Sequence, residues 1–470
     1  MLFPLLTSSF FLLAQAHPKP QTTISRDVVV IGGGSSGTYA SVNLHARGHS
    51  VAVLERQGRL GGHVETYHDP DTGAPHNLGV ILYYNNTLNT DYFSLLGVPV
   101  GPAAQGGAAN AWLDFNTGKP APGFDGAADS AAAFGPVLTE YLTYIGENYP
   151  YLSLSYENLT YPIPAELLEP FTVFAEKHNF TALLHTFDQF SQNIGNLWTL
   201  PTYQAIHAFE NKIVAALSQG FVNPLSGDNQ DIYNAAARYL GAENVFLNST
   251  ITGVDRSGAC FGFHPPSPVC VLSTTGSNTT LVQARKLLVA IPNTLDSLHA
   301  ASLDLDAQEH SVFSQFTAFT YGVTVVNAPH LPSNTSYTNV GTNTPFHLLT
   351  LPGAFSFQPL SGSRFASWFG AIEPSGWTDE RIKKLITAEV LKVGGGKASE
   401  ISFDFLKNHA PFRLHVSPQA VARGFYEDLY ALEGRKNTFW TGAAWAEQDS
   451  SQIWLWSEES LLPKMEQALA

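Results

Sequence analysis

Gly32, Gly34 and Gly37 stand at G-x-G-x-x-G spacing directly after the apolar run Val28 to Ile31, and Glu55 follows the last glycine by eighteen residues. Residues of these types at this spacing bind a dinucleotide. The first glycine permits a tight turn, the second lets a pyrophosphate approach the backbone, and the third lets a helix pack closely on its strand. Glu55 is placed to accept hydrogen bonds from an adenosine ribose. Ser36 inside the turn and Arg56 beside the glutamate join these positions as cofactor-binding candidates.

The elements that must position them can be read on either side. Four β-branched residues, Val28 to Ile31, suit a strand buried on both faces of a parallel sheet. Thr38 to Arg47 reads as a helix closed by Gly48, and Val51 to Leu54 as a second strand ending in Glu55. The helix N-terminus then faces the phosphates.

A second glycine pair follows in Arg59-Leu60-Gly61-Gly62-His63-Val64-Glu65-Thr66. This resembles the fingerprint G-G-R-x-x-T of the flavin-containing amine oxidoreductase superfamily, with histidine at 63 where that family usually has arginine. The stretch Thr66 to Val80 and the segment Phe439 to Trp445 (F-W-T-G-A-A-W) are most similar to the fungal β-cyclopiazonate dehydrogenase-like branch. The resemblance implies FAD as cofactor and an α/β fold in which a Rossmann-type FAD-binding domain is interleaved with a mixed α+β substrate domain. It also implies Gly62 and His63 at the flavin, Gly79 near the isoalloxazine ring, Ile251 at adenine, and Gly442 closing the strand Asn437 to Gly442. A last helix from Asp449 to Met465 would point its positive end at the flavin pyrimidine. His63 either hydrogen-bonds the cofactor as a neutral replacement for arginine or links to it covalently. Many relatives carry a lysine near the flavin in a strand of the substrate domain; here no lysine occurs between Lys286 and Lys383, and Tyr321-Gly322 falls in its place. No catalytic acid or base is assigned.

The rest of the chain sets limits. With 470 residues, 44% hydrophobic and 13% charged, it is globular and long enough for two intertwined domains. A net charge of -15 argues against nucleic acid, whose phosphates need clustered cations. Met1 to Ala16 is expected to be a secretory leader cut at Ala14-Gln15-Ala16, placing the protein in the secretory pathway; no later run is long enough to span a membrane. Asn85, Asn158, Asn179, Asn248, Asn278 and Asn334 begin N-x-S/T acceptors. Cys260 and Cys270, the only cysteines, would close a hairpin as a disulfide in an oxidising compartment. His178 and His185 lack a third ligand at metal spacing, so no metal is expected, and His207 has no evident partner.

Residues 26–110, 225–300 and 400–470 are assigned to the discontinuous FAD-binding domain, and 111–224 and 301–399 to the substrate domain. Within these, Gly227 to Leu240 reads as a helix with Asp228 as N-cap, followed by a strand Val245 to Val254. The aromatic residues Phe171, Phe174, Phe180, Phe187, Phe190, Trp198, Tyr203 and Phe209 fit a packed core, with a pocket wall as the alternative. Trp445 can either face the active site or pack. The expected activity is FAD-dependent oxidation of a C–N or C–C bond in an apolar, aromatic or alkaloid-like secondary metabolite. Alternatives are a secreted amine, polyamine or prenylcysteine-type oxidase, and a flavin-binding protein without catalysis.

Overall fold

The computed structural model describes residues 19–103, 109–122, 124, 128–190, 194–210, 212, 215–216, 219–373 and 376–470. The expected leader lies outside these residues, as do residues 104–108.

The strand Thr22–Ile31 lies inside a seven-stranded sheet, parallel to Asn278–Val289 on one side and to Val51–Leu54 on the other. Both faces are covered, so Val28, Val29 and Val30 are fully buried, which is why the sequence there is a continuous apolar run and does not alternate. Val245–Phe246 extends the parallel part, and Thr438–Trp440 pairs with Asn278–Val289. The antiparallel strands Thr250–Asp255 and Val269–Thr275 complete the sheet.

A second seven-stranded sheet runs in the order Ser402–Asn408, Thr317–Asn327, Arg364–Ala371, Gly353–Pro359, Thr335–Asn339, Ala109–Leu113, with Phe412–His415 also pairing to Thr317–Asn327. Residues 402–408 and 412–415, assigned to the cofactor segment from the sequence, and 109–110 therefore pair in the second sheet. The helices Ala128–Asn148, Phe171–Lys177 and Thr202–Ala208 bury apolar side chains in the core cluster that also holds Val28 to Ile31 of the first sheet, and Pro164, Pro170 and Pro201 occupy the positions before helices. The result is an α/β protein whose two large sheets draw their strands alternately along the chain.

Several local readings shift. The first helix is Ser35–Ala46, so the last part of the glycine turn is already its first turn. The helix expected from Gly227 begins at Gln230 with Asn229 before it; Asp228 still accepts the Gln230 N–H at 2.8 Å, but from one position earlier than an N-cap. The expected strand Val245 to Val254 is two strands, because Asn248 turns the chain with φ 51° and donates its N–H to Gln57 O. The Cys260–Cys270 disulfide is formed, closing the segment that leads into Val269–Thr275.

Candidate active site

At the end of the central strand, Gly32 adopts φ +103°, and a Cβ there would lie 2.7 Å from Ala290 O. A Cβ on Gly37 would come within 2.1 Å of Gly32 O, so helix and strand close up only because both are glycine. Gly34 precedes the helix with no side chain capping it, leaving the first N–H groups of a twelve-residue helix to an outside acceptor. Glu55, at the end of the second strand, accepts the Gly33 N–H on Oε2 and the Gln57 N–H on Oε1, both at 2.7 Å. Arg56 is exposed beside it.

The second glycine pair lies on the first. Gly61 donates to Gly33 O at 2.8 Å, and a Cβ on Gly62 would sit 2.9 Å from Gly34 Cα. Arg59 holds this pair in place, with Glu65 at 2.8 Å, Gln230 Oε1 at 2.9 Å and Gly62 O at 3.3 Å. A Cβ on Gly79 would fall 1.8 Å from His63 O, so Gly79 passes directly behind the histidine backbone. At the C-terminal end, Gly442 lies against Ser36, and Ser450 Oγ is 2.9 Å from Ser35 Oγ, which also accepts the Trp454 Nε1–H at 3.0 Å. Asp449 caps the helix Ser450–Trp456 by accepting the Gln452 N–H at 2.9 Å, and burial raises its carboxyl to about 6.

The structure thus gathers Gly32, Gly34, Ser36, Gly37, Glu55, Gly62, His63, Gly79 and Gly442 along one path. Ile251 lies two residues beyond a contact with that path. It pairs with Ser273, while the contact to the Glu55 end of the second strand is made two residues earlier, where Ser249 donates to Glu55 O at 2.8 Å.

The path opens on a cavity of ≈ 310 Å³ lined by His63, Gly79, Tyr84, Tyr321, Trp368, His409, Phe412 and Asp449, among others. His63 stacks flat on His409, ring centroids 4.4 Å apart at 4°. Tyr321 stacks on Phe412 at 4.6 Å and 19°. Burial, reinforced by the nearby Arg56 and Arg59 cations, holds His63 down to about 4, and burial with His63, Arg59 and Lys407 holds His409 well below the usual histidine range. Burial raises the Tyr321 phenol, so it keeps its proton. At neutral pH the part of the wall formed by His63, His409, Tyr321 and Phe412 is aromatic and uncharged.

Sequence reasoning placed Tyr321 at the cavity but missed His409, Phe412 and Trp368. These come from 368–412, far along the chain, and only the pairing of Thr317–Asn327 with Arg364–Ala371, Ser402–Asn408 and Phe412–His415 brings them together. The His-Ala-Pro-Phe turn after an alternating strand was the available signal. Trp445 packs and donates Nε1–H to Asn293 Oδ1 at 2.8 Å. Phe171, Phe174, Phe180, Phe187, Tyr203 and Phe209 are core residues, and none of them lines the cavity; Trp198 is partly buried against the same core, and the Phe190 side chain lies outside the description. His207, expected to lack a partner, faces Leu152 O at 2.7 Å and Ala446 O at 3.0 Å. Among the described residues no group of three or more His, Cys, Asp or Glu could hold a metal, and no helix is long and apolar enough to cross a membrane.

Comparison with known proteins adds to this geometry. Residues 30–95 match the model of the NAD(P)-binding Rossmann-like domain family. The chain is 32% identical to the FAD-dependent oxidoreductase dpchF of Colletotrichum higginsianum, covering 97% of each chain. It is also 32% identical to β-cyclopiazonate dehydrogenase of Aspergillus oryzae, covering 93% of each. Among solved structures, the CLA-producing fatty acid isomerase from P. acnes superposes with a TM-score of 0.73 at 16% identity, over 93% of this chain and 98% of that one. Putrescine oxidase bound to putrescine gives 0.61 at 14%, over 95% and 98%. The two structures share the fold, and the two sequence relatives decide the membership: this chain belongs to the family of FAD-dependent oxidoreductases that includes β-cyclopiazonate dehydrogenase.

Proposed function

We propose that this FAD-dependent oxidoreductase oxidises a C–N or C–C bond in an apolar, aromatic or alkaloid-like secondary metabolite. The observation that carries the substrate class is the uncharged aromatic wall of the ≈ 310 Å³ cavity, where His63, His409, Tyr321, Phe412 and Trp368 meet. A flat apolar molecule gains both burial and ring contacts there.

The residues present fit FAD. The uncapped helix N-terminus behind Gly34, with Ser36 and Arg56, suits the diphosphate; Glu55 suits the ribose; Gly62, His63, Gly79 and Gly442 leave room for the ring system, and Ile251 remains the candidate at adenine. When bound, FAD supplies the acceptor for two electrons and a hydrogen. The chain's own part is to orient the substrate and exclude water. His63 serves as a neutral neighbour of the cofactor, since its ring is engaged in the stack with His409.

A polyamine substrate is disfavoured. A polyamine carries several ammonium groups and needs several carboxylates, and among the described residues Asp449 is the one carboxylate on the cavity wall, with an oxygen already given to a helix cap. The test is anaerobic mixing of the holoenzyme with indole alkaloids and with polyamines, following loss of flavin colour. Bleaching by members of the first group supports the reading; bleaching by polyamines alone overturns it.

We also propose passage through the secretory pathway with N-glycosylation. All six acceptor asparagines are exposed, whereas Asn89, Asn196, Asn229, Asn244, Asn293 and Asn339 are buried and none begins an acceptor triplet. Mass analysis of the protein from its own host before and after glycosidase treatment decides the point; an unchanged mass rejects it.

A further inference from the structure

Building on the aromatic-ligand reading above, we propose that Nε2 of His409 accepts a hydrogen bond from an uncharged N–H or O–H group of the substrate. His409 is then the residue that sets which apolar molecules the cavity admits.

His409 follows the strand Ser402–Asn408, and its backbone N–H donates to Tyr321 O at 2.8 Å, fixing where its side chain leaves the main chain. The residue is 6% exposed and lines the cavity. Its ring cannot swing freely, because His63 lies flat on it. Yet Nε2 is buried with no hydrogen-bond partner among the described residues. Three polar neighbours on the cavity wall are satisfied. Trp368 donates to Leu78 O at 2.7 Å, Tyr84 receives the Gln452 amide at 3.1 Å, and Ser450 meets Ser35. A buried polar atom left without a partner is costly, and one carried by a cavity-lining residue is placed for a ligand to complete it.

The charges around the ring choose its role. His63 faces it from the glycine-pair segment, Arg59 from the same segment with Glu65 as its partner, Lys407 from its own strand, Arg56 from beyond His63, and the Tyr321 phenol from the neighbouring strand. Burial first, and then the Arg59 and Lys407 cations, keep the imidazole neutral and favour a lone pair over a further positive N–H pole at Nε2. The same cations oppose an ammonium. The site therefore selects a flat apolar molecule that carries one neutral donor.

The test uses the FAD-loaded holoenzyme labelled with nitrogen-15 histidine, with indole as the donor-bearing probe and indene as its isostere without N–H. Perturbation of the flavin absorption band reports occupancy, and the ring nitrogen lost in His409→Gln assigns the signal. The expected result is an unprotonated Nε2 whose resonance moves on saturation with indole and stays in place with indene. His409→Phe, which keeps a ring in the stack, binds indole about tenfold more weakly and indene unchanged. His409→Gln keeps an acceptor and holds indole, so it serves if the Phe variant does not fold. An Nε2 that carries a proton, or one that does not move while indole perturbs the flavin, overturns the assignment. If neither probe perturbs the flavin, the aromatic-ligand reading itself fails and this inference falls with it.

Discussion

Glu55 Oε2 accepts the Gly33 N–H at 2.7 Å, so the carboxylate proposed to meet the ribose also holds the glycine turn in shape. Glu55→Ala removes both functions at once. The Gly33 and Gln57 amides lose their acceptor, which costs about 1 to 3 kcal/mol of stability. The variant is expected to lose most of its FAD on gel filtration, read from the visible absorption of the protein peak, while Glu55→Gln retains an intermediate amount.

Gly62→Ala tests whether the second glycine pair is a backbone contact. The new Cβ would lie 2.9 Å from Gly34 Cα at φ +57°, with no flexible side chain to yield. A drop of about 1 to 3 kcal/mol in denaturant stability and weaker FAD retention are expected. Gly48→Ala, which meets nothing within 4 Å but shares a positive φ, controls for backbone strain alone and should keep its FAD.

The stacked histidines give a pH dependence of defined sign. His63 is held down to about 4 against an ordinary value of 6.5, and His409 is lowered as well. Between those values the unfolded chain binds more protons than the folded one, so stability falls as pH drops from about 6.5 towards 4. His63 contributes on the order of 2 to 3 kcal/mol across that window. Urea denaturation at a series of pH values should show a shallower slope in His63→Phe and His409→Phe than in the parent. An unchanged slope would mean that neither ring is buried neutral.

Arg413 and Glu447 form a buried ion pair, and His207 Nε2 lies 3.8 Å from Glu447. Breaking it on one side strands a charge. Arg413→Met is expected to lose about 3 to 5 kcal/mol by thermal or denaturant unfolding, whereas changing both residues to apolar ones recovers much of that loss.

The Cys260–Cys270 bond closes a loop with a sequence separation of 10, away from the cavity. Replacing both cysteines with alanine should cost about 2.5 to 3 kcal/mol in the chain-entropy account and leave the flavin spectrum untouched.

How much of this could be read beforehand follows from sequence distance. Gly32, Gly37 and Glu55 act within one strand, turn, helix and strand, so their spacing alone carried their geometry. Gly62 and Gly79 were reached through family resemblance, and their close approach to Gly34 and to His63 O explains why only glycine stands there. The cavity wall was different. Tyr321 and Trp368 lie on two strands and His409 directly follows a third, whose pairing depends on the whole second sheet, and nothing local in the chain marks which faces meet. Local signals also misplaced edges: Asn229, not Asp228, precedes the helix Gln230–Leu240, because its φ of -67° and ψ of -17° already belong to the helical turn. The aromatic residues from 171 to 209 carried no pocket signal because helical spacing buries them against one another, as in the Phe187–Phe209 stack at 3.8 Å.

The most direct measurement is the visible spectrum of the purified protein before and after acid precipitation. The account expects a yellow protein whose colour passes to the supernatant as FAD, with His63 free of any covalent bond to it. Colour that stays with the precipitate would contradict the role given to His63, and a colourless protein that FAD cannot reconstitute would contradict the account as a whole.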